Sequence, residues 1–507
     1  MQAAVVVLPN SAAREDDTAS TWRKRTHRAD TGATEMNLEK KNLAPARRSV
    51  IRSAAVSVMV GLIACAKTEG GNQGAFASST TTSTTTSSNA STAACASDNG
   101  GITLPAGFCA TVFADTIGHA RHIVVNSNGD VYVNTWSGRY YTTPAHPGGF
   151  LVALRDTSKD GVADIVKRFG TDSLHGSGGG TGIGLYKGSL YAEQFGTSSA
   201  KIVSYAISTD SMTPTSATAT TIVSGLPVSG DHPMHPFAIG QAGDMYVDLG
   251  SATNSCQIKN RTLESPGRKP CTELLARAGI WRYDANKTNQ TFSQKERYAT
   301  GIRNAVGIAF DGSGQLHSTQ HGRDQLFDNW PKLYTSEQGQ NLPAEELLKI
   351  ARGGDYGWPY CYYDGTQQKL VLAPEYGGEG KTVAECASKL GAEAFFPAHW
   401  APDGLVFYTG SMFPAHYKDG AFIAFHGSWN RAPGPQQGYN VVFVPFAGGK
   451  PVDPSKYEIF ADGFAGPNKQ PDAALHRPTG LTIGPDGALY ITDDKGGRVW
   501  RVVYKGR

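Results

Sequence analysis

The sequence predicts an all-β chain: a six-bladed β-propeller of four-stranded antiparallel blades with long inter-strand loops. Three observations carry this reading. With 60 Gly, 27 Pro and 10% aromatic residues, the composition favours many short strands and turns over helices. From about residue 100 one hairpin unit recurs six times: an apolar strand, a Gly/Asp turn, a second apolar strand. The recurrence is regular, as expected when radial packing leaves only short, protected sheet edges. A two-sheet sandwich of ordinary hairpins does not account for that regularity.

The elements follow in chain order. Residues 1–35 lie upstream of a second plausible start, Met36, and read as an extension expected to be disordered. Residues 36–65 read as a signal peptide: Lys40, Lys41, Arg47, Arg48 and Arg52 precede the apolar run AAVSVMVGLIA, which ends at Cys65. That run is too short to span a bilayer and suits the h-region of a secretory signal. Leu62-Ile63-Ala64-Cys65 resembles the bacterial lipobox, so the chain is expected in the periplasm, lipid-anchored to the membrane through Cys65 and touching it only there. A plain signal peptide with a chance Cys is the alternative; the Arg47-Arg48 pair is a weak twin-arginine signal. Residues 66–100 read as a flexible tether, because SSTTTSTTTSSNAST at 78–92 has no apolar periodicity with which to bury a core. Residues 101–507 form the propeller.

The net charge is +3, and residues 1–65 hold ten Lys/Arg against six Asp/Glu, which leaves about −1 for the remainder. A near-neutral body has no electrostatic footprint for nucleic acid, so a small-molecule ligand is expected. Apart from Cys65 the cysteines are Cys95, Cys109, Cys256, Cys271, Cys361 and Cys386. Pairing of sequence neighbours would give three disulfides in an oxidising compartment, among the fifteen pairings that six cysteines allow. No CxxC occurs.

The hairpins read RHIVVNSNGDVYVNTW (121–136), GTGIGLYKGSLYAEQ (180–194), HPFAIGQAGDMYVDLGS (235–251) and NAVGIAFDGSGQLHSTQ (304–320). A diverged copy, DGLVFYTG with GAFIAFHGSW, spans 403–429, and RPTGLTIGPDGALYITDD at 477–494 is followed by the closing strand RVWRVVY. Alternating apolar positions across NGD, AGD or PDG turns are strong hairpin signals. Residues 321–356 and 361–400 stand out as insertions. Corresponding loops of successive blades gather at one mouth of the central channel, so polar residues at one phase of the repeat should meet there. At that phase stand His232, Arg303, the bend His321 to Asp324, His399, Arg431 and Arg477. Arg303 and Asn304 begin one strand, and the bend leaves the same end of its neighbour. A guanidinium, an amide and free carbonyls on one spot suit a ligand that carries negative charge beside a bound cation.

The motifs DHPMHPFAIGQAGDMY, GIRNAVGIAF, GGDYGWP, AFHGSWNR and HRPTGLTIGPDGALYITD together resemble the soluble sugar dehydrogenases that depend on pyrroloquinoline quinone (PQQ), in their sorbosone/aldose dehydrogenase branch, over residues 101–507. The resemblance implies a propeller holding PQQ and Ca²⁺ at the channel mouth. It implies an enzyme that takes hydride from a sugar's anomeric carbon and passes electrons to an external acceptor, a quinone or a cytochrome. An ortho-quinone with three carboxylates calls for guanidiniums, its carbonyl for a Lewis acid and a nearby Arg, and the sugar hydroxyl for a general base. By resemblance His232 is the base, with His235 as the competing candidate. Arg303 and Asn304 flank the quinone oxygens and share in catalysis. His399, Arg431 and Arg477 complete the cofactor site. The carbonyls of Gly322 and Arg323 would bind Ca²⁺, a cation suited to oxygen ligands, and Asp324 either adds a carboxylate or caps the loop. Arg431 could instead be a turn residue.

The chain departs from the family at several places. Thr479 replaces a second Arg, Ser251 replaces the carboxylate that orients the base, and Gly180 or Thr181 stands where a glutamine contact is usual. A backbone carbonyl is the expected substitute for holding His232. The glycine run GSGGGTGIG at 176–184 leads into a strand and does not satisfy the dinucleotide fingerprint, and no GxSxG or HExxH occurs. Trp358 and Trp429 are candidates to line a sugar-binding mouth, against ordinary blade packing. Two other classes compete: a non-catalytic propeller binding carbohydrate or protein at the same mouth, and a lactone hydrolase, for which no recurring acidic metal set is found.

Overall fold

The computed structural model describes residues 95–136, 148–170, 178–208 and 210–506. The signal segment, Cys65 and the Ser/Thr tract lie outside the described residues. Among the described residues no helix is long and apolar enough to cross a membrane.

Six blades of four antiparallel strands make the propeller, blade 2 carrying in addition a two-residue strand, Gln290–Thr291, parallel to its outer edge, and each of the six hairpins read from the sequence supplies the first two strands of one blade. Blade 1 runs Ala120–Val125, Val131–Thr135, Leu151–Arg155, Ile165–Phe169; blade 2 runs Gly178–Tyr186, Ser189–Phe195, Ala200–Ala206, Thr220–Leu226. Blade 3 holds Phe237–Ile239, Asp244–Leu249, Gly279–Asp284 and Arg297–Thr300; blade 4 holds Ile308–Phe310, Leu316–Gln320, Glu345–Lys349 and Ala394–Phe396. Blade 5 comprises Pro402–Phe407, Ala421–Phe425, Asn440–Val444 and Glu458–Ala461. Blade 6 takes Pro478–Ile483, Leu489–Asp493 and Val499–Tyr504 from the end of the chain and its outer strand, Phe108–Ala114, from the beginning, with Phe108 opposite Tyr504 and Val112 opposite Trp500.

The first strand of every blade touches the first strands on both sides, closing a ring. Ile123, Ile183, Phe237, Ile308, Leu405 and Leu481, one from each first strand, line the channel inside it. Apolar side chains fill the wedges between blades; Phe108, Phe413, Tyr417, Phe422, Phe443 and Phe460 pack between blades 5 and 6. Full burial of such a side chain contributes roughly 1.5–3 kcal/mol.

Polar hooks join the blades at one phase of the second strand. Asn134 donates to the Gly182 carbonyl (2.9 Å) of blade 2, and Glu193 accepts from the His235 N–H (3.1 Å) at the entrance to blade 3. Thr319 donates to the Pro402 carbonyl (2.7 Å) of blade 5, and Thr492 to the Arg121 carbonyl of blade 1. Asp248 stands at the same phase in blade 3, where burial raises its carboxyl well above the usual range. Blade 5 has Ala424 there. The glycine run of blade 2 serves this packing: a Cβ on Gly180 would lie 2.3 Å from the Glu193 carboxyl carbon, and one on Gly182 2.5 Å from the His235 carbonyl.

The two stretches read as insertions are only partly so, since the first contains the third strand of blade 4 and the second its fourth. What is added there is a pair of short helices, Leu326–Asn329 and Ser336–Asn341, and a hairpin, Cys361–Asp364 with Lys369–Leu372. A further excursion, residues 250–278, leaves blade 3 at the same end. The disulfides are Cys95–Cys109, Cys256–Cys271 and Cys361–Cys386, all between sequence neighbours.

Candidate active site

At one end of the channel the loops enclose a cavity of about 510 Å³, within the range of small-molecule sites. Residues just before the first strands and just after the second strands line it, so the repeat phase fixes the site. His232, Arg303, Asn304, Gly322, His399 and Arg477 all lie in its wall. Of the expected residues, Arg431 and Arg323 do not.

His232 is buried, with Nδ1 2.9 Å from the Ser251 carbonyl and 3.0 Å from Ser251 Oγ. A carbonyl can only accept, so Nδ1 carries the proton and Nε2 keeps a lone pair, which has no partner among the described residues. Ser251 Oγ in turn donates to the Thr253 carbonyl (2.7 Å). Burial, with the Arg303 charge nearby, holds the imidazole well below the usual histidine range, which keeps it neutral. Arg277 donates to the carbonyls of His232 (3.3 Å) and Gly250 (3.2 Å) and fixes the backbone on both sides of the pair. Residue 250 must be glycine: its Cβ would lie 2.5 Å from His232 Cβ and 3.0 Å from Asn304 Oδ1. His235 is different. Its ring nitrogens meet the Glu193 carboxylate (2.9 Å) and the Pro227 carbonyl (3.1 Å) in the core, so it is no free base.

Arg303 is buried and donates to the Asn254 carbonyl (3.1 Å), Asn254 Oδ1 (3.0 Å), the Gly322 carbonyl (2.9 Å) and Asp324 (2.9 Å). Asn304 Oδ1 is buried with no partner among the described residues, an acceptor that a ligand donor or a cation would satisfy. Asp324 gathers three chain segments, accepting from Arg303, from Arg261 (3.0 Å) and from Asn430 Nδ2 (2.6 Å). Burial alone would raise its carboxyl, but the Arg303 and Arg261 guanidiniums hold it well below the usual carboxylate range. His399 sits in left-handed backbone (φ 66°) and donates from Nε2 to the Gly339 carbonyl (3.0 Å).

Arg477 donates to the carbonyls of His426 (3.0 Å) and Gly427 (2.7 Å) over the Tyr439 ring, leaving Nη1 without a partner among the described residues. Arg431 is a correction: its guanidinium turns away, donating to the Gln340 and Ala398 carbonyls (both 3.0 Å) and to Asn341 (3.0 Å). Its neighbour Asn430 faces the cavity instead, a register error of one residue. Of the expected cation pair, Gly322 lies in the cavity wall and its carbonyl accepts from Arg303 (2.9 Å), while Arg323 is outside the wall, its guanidinium buried against Glu375. Among the described residues no three His, Cys, Asp or Glu side chains form a metal-holding group.

Sequence reasoning missed Arg121, which donates to Asp403 (2.9 Å) and Asp494 (2.7 Å) on the cavity floor. By strand register it is equivalent to Thr479, two residues after the place of Arg477, so the phase of Arg477 did not point to it. It also missed Arg261, His426, Asp403 and Glu345. The wall holds four guanidiniums, Arg121, Arg261, Arg303 and Arg477, against four carboxyls, Asp231, Asp324, Glu345 and Asp403. The carboxyls offset part of the positive charge that the arginines alone imply. Thr479, where a second Arg is usual, is buried between blades and donates to the Ala120 carbonyl (2.9 Å).

A model of the TrAA12-like family matches residues 102–505. The chain belongs to the TrAA12-like family. The kinship with PQQ-dependent soluble sugar dehydrogenases read from the motifs is thus borne out. An uncharacterised protein of Borreliella burgdorferi is 31% identical over 220 residues, 43% of this chain and 51% of that protein. A PQQ-dependent pyranose dehydrogenase of Coprinopsis cinerea is 29% identical over 230 residues, 39% of this chain and 30% of the enzyme. The chain therefore matches about half or less of the length of these curated relatives. Among solved structures, the PQQ domain of Coprinopsis cinerea pyranose dehydrogenase in its holo form superposes with a TM-score of 0.61 at 22% identity, over 79% of this chain and 97% of that domain. The calcium structure of a Trichoderma reesei carbohydrate-active enzyme of family AA12 gives 0.61 at 20% identity, over 80% and 97%. These neighbours share the propeller fold.

Proposed function

We propose that this chain is a PQQ- and calcium-dependent dehydrogenase that oxidises an aldose or sorbosone-like sugar and passes the electrons to an external quinone or cytochrome. The observation that carries the proposal is His232: a neutral imidazole, its tautomer fixed by a carbonyl, with a bare Nε2 beside Arg303 and Asn304 in the wall of a ligand-sized cavity. The Coprinopsis relative is a PQQ-dependent pyranose dehydrogenase, which supports the choice of cofactor. The Trichoderma enzyme has a calcium structure, which supports the choice of cation.

The residues fit the cofactor. The cavity volume suits a fused tricycle, Arg477 Nη1 is an unspent donor toward a polyanion, and Asn304 Oδ1 is an unspent acceptor for a cation or a ligand donor. Arg303, Asn304, His399 and Arg477 would hold it, with a cation served by the Gly322 carbonyl and neighbouring oxygens. When bound, the quinone supplies the hydride acceptor. His232 Nε2 takes the proton of the sugar hydroxyl, and Ser251 keeps the ring in the tautomer that can do so. Arg303, fixed on four acceptors, presents its charge without reorganisation. We further propose export to the periplasm with a lipid anchor at Cys65.

Reconstitution tests this reading. Dye-linked sugar oxidation should require both PQQ and Ca²⁺, and H232A should keep PQQ affinity while losing roughly 10²–10⁴-fold in turnover. Full turnover by H232A would remove His232 from the mechanism. The balance of guanidiniums and carboxyls in the wall favours a second reading, a non-catalytic carbohydrate-binding propeller; absence of any PQQ binding by calorimetry in Ca²⁺ buffer would favour it.

A further inference from the structure

Trp429 lines the cavity with 49% of its surface exposed. Trp136, Trp281, Trp358, Trp400 and Trp500 are buried; Trp358, the other candidate for the mouth, spends its indole N–H on the Asn254 carbonyl (3.0 Å). The Trp429 indole forms no hydrogen bond, ring contact or cation–π contact among the described residues. Its flanks, by contrast, are tightly held. The Ser428 carbonyl accepts from the Tyr439 hydroxyl (2.7 Å), and Ser428 Oγ donates to Gln436 (2.7 Å) and accepts from the Gln437 N–H (2.8 Å). On the other side Asn430 is tied to Asp324, and Arg431 to the Gln340 and Ala398 carbonyls. A large apolar face is thus presented to water by a rigid backbone, an arrangement that costs solvation and is compensated only when something covers the ring.

The hydrogen-bond chain from Asn430 through Asp324 to Arg261 continues to Asp231 (3.0 Å), which precedes His232 in the sequence. Asp231 and Arg261 are half-buried and line the same cavity. An apolar aromatic plane together with a carboxylate–guanidinium pair matches the two-faced chemistry of a sugar ring. The plane meets C–H groups, and the pair offers acceptor and donor atoms to hydroxyls.

We propose that Trp429 is a carbohydrate platform, stacking on the C–H face of a pyranose ring whose hydroxyls engage the Asp231–Arg261 pair. This deepens the reading of the cavity as a sugar dehydrogenase site and rests on it for the reaction. Because the backbone around the indole is already ordered, little conformational entropy is lost on stacking.

The test compares the full chain with W429A and W429F. In W429A the KM for pyranoses should rise about ten-fold, as expected for loss of about 1.4 kcal/mol of stacking, with kcat little changed and PQQ affinity by calorimetry unchanged; W429F should recover most of the loss. Glucose added to the cofactor-free wild type should alter tryptophan fluorescence, and the change should vanish in W429A. An unchanged KM, or a fluorescence response that persists in W429A, overturns the proposal. So does a parallel fall in PQQ affinity, which would make the indole a cover for the cofactor. If the wild type takes up no PQQ, the dehydrogenase reading fails while the fluorescence comparison still decides the platform.

Discussion

His232 and Arg477 gain their roles from what their other atoms are doing. The carbonyl of Ser251 fixes the tautomer of His232, and burial lowers the imidazole's proton affinity. A base is active when deprotonated, so the acid limb of the kcat/KM profile should lie below the ordinary histidine value of about 6.5; a limb at or above that value would show that another group takes the proton. Arg477 keeps an amino group toward the cavity, so R477A should weaken PQQ binding by roughly ten-fold or more, the scale of a charge-assisted hydrogen bond. R431A should instead lower the melting temperature, because its guanidinium pins the Ala398 and Gln340 carbonyls. Isothermal titration and thermal melts of the two variants distinguish these outcomes. At this scale the sequence was legible where side chain and repeat phase coincide, as at His232, Arg303 and Arg477. It was not legible where partners come from distant loops: nothing near Asp324 in the chain announces Arg261 or Asn430, and the Arg431 error arose because a tight turn offers no periodicity to set register.

The third strand of blade 4, Glu345–Lys349, carries two adjacent buried carboxyls. Neighbouring strand residues point to opposite faces. Glu345 thus reaches the cavity wall, accepting from the N–H groups of Gly322 (2.8 Å) and Ala401 (3.2 Å). Glu346 points behind it, with Gln320 (2.6 Å) on one oxygen and no partner among the described residues on the other. Burial raises Glu345 to about 7 and Glu346 to about 8. For a carboxyl raised above its unfolded value the neutral form is favoured in the fold, so stability is full below about 4.5 and is lost as pH rises through 7. E345Q cannot ionise. Between pH 4.5 and 7 the wild type should lose on the order of 3 kcal/mol relative to this variant, read as a shallower pH dependence of the variant's denaturation midpoint; parallel slopes would refute the assignment. None of this was legible beforehand, because EELL reads as an ordinary amphipathic stretch until burial on both faces is known.

At the scale of the molecule, the six hairpins were plain in the sequence because turn residues and alternation repeat together, whereas the blade that begins and ends the chain was only half visible. Its outer strand, Phe108–Ala114, precedes the first hairpin by chain position yet belongs to the last blade. Deletion through Asp115 should leave blade 6 with three strands, expose Trp500 and Phe460, and abolish cooperative unfolding, followed by tryptophan emission during a thermal melt.

That closure also sets an order in time. During synthesis the segment bearing Phe108 emerges before the five other blades, and its partner Val499–Tyr504 only after them. The ring must therefore wait, with one flank unlatched, until all six blades are available. A stop codon shortly before Val499 would leave every preceding blade in an unsealed circle.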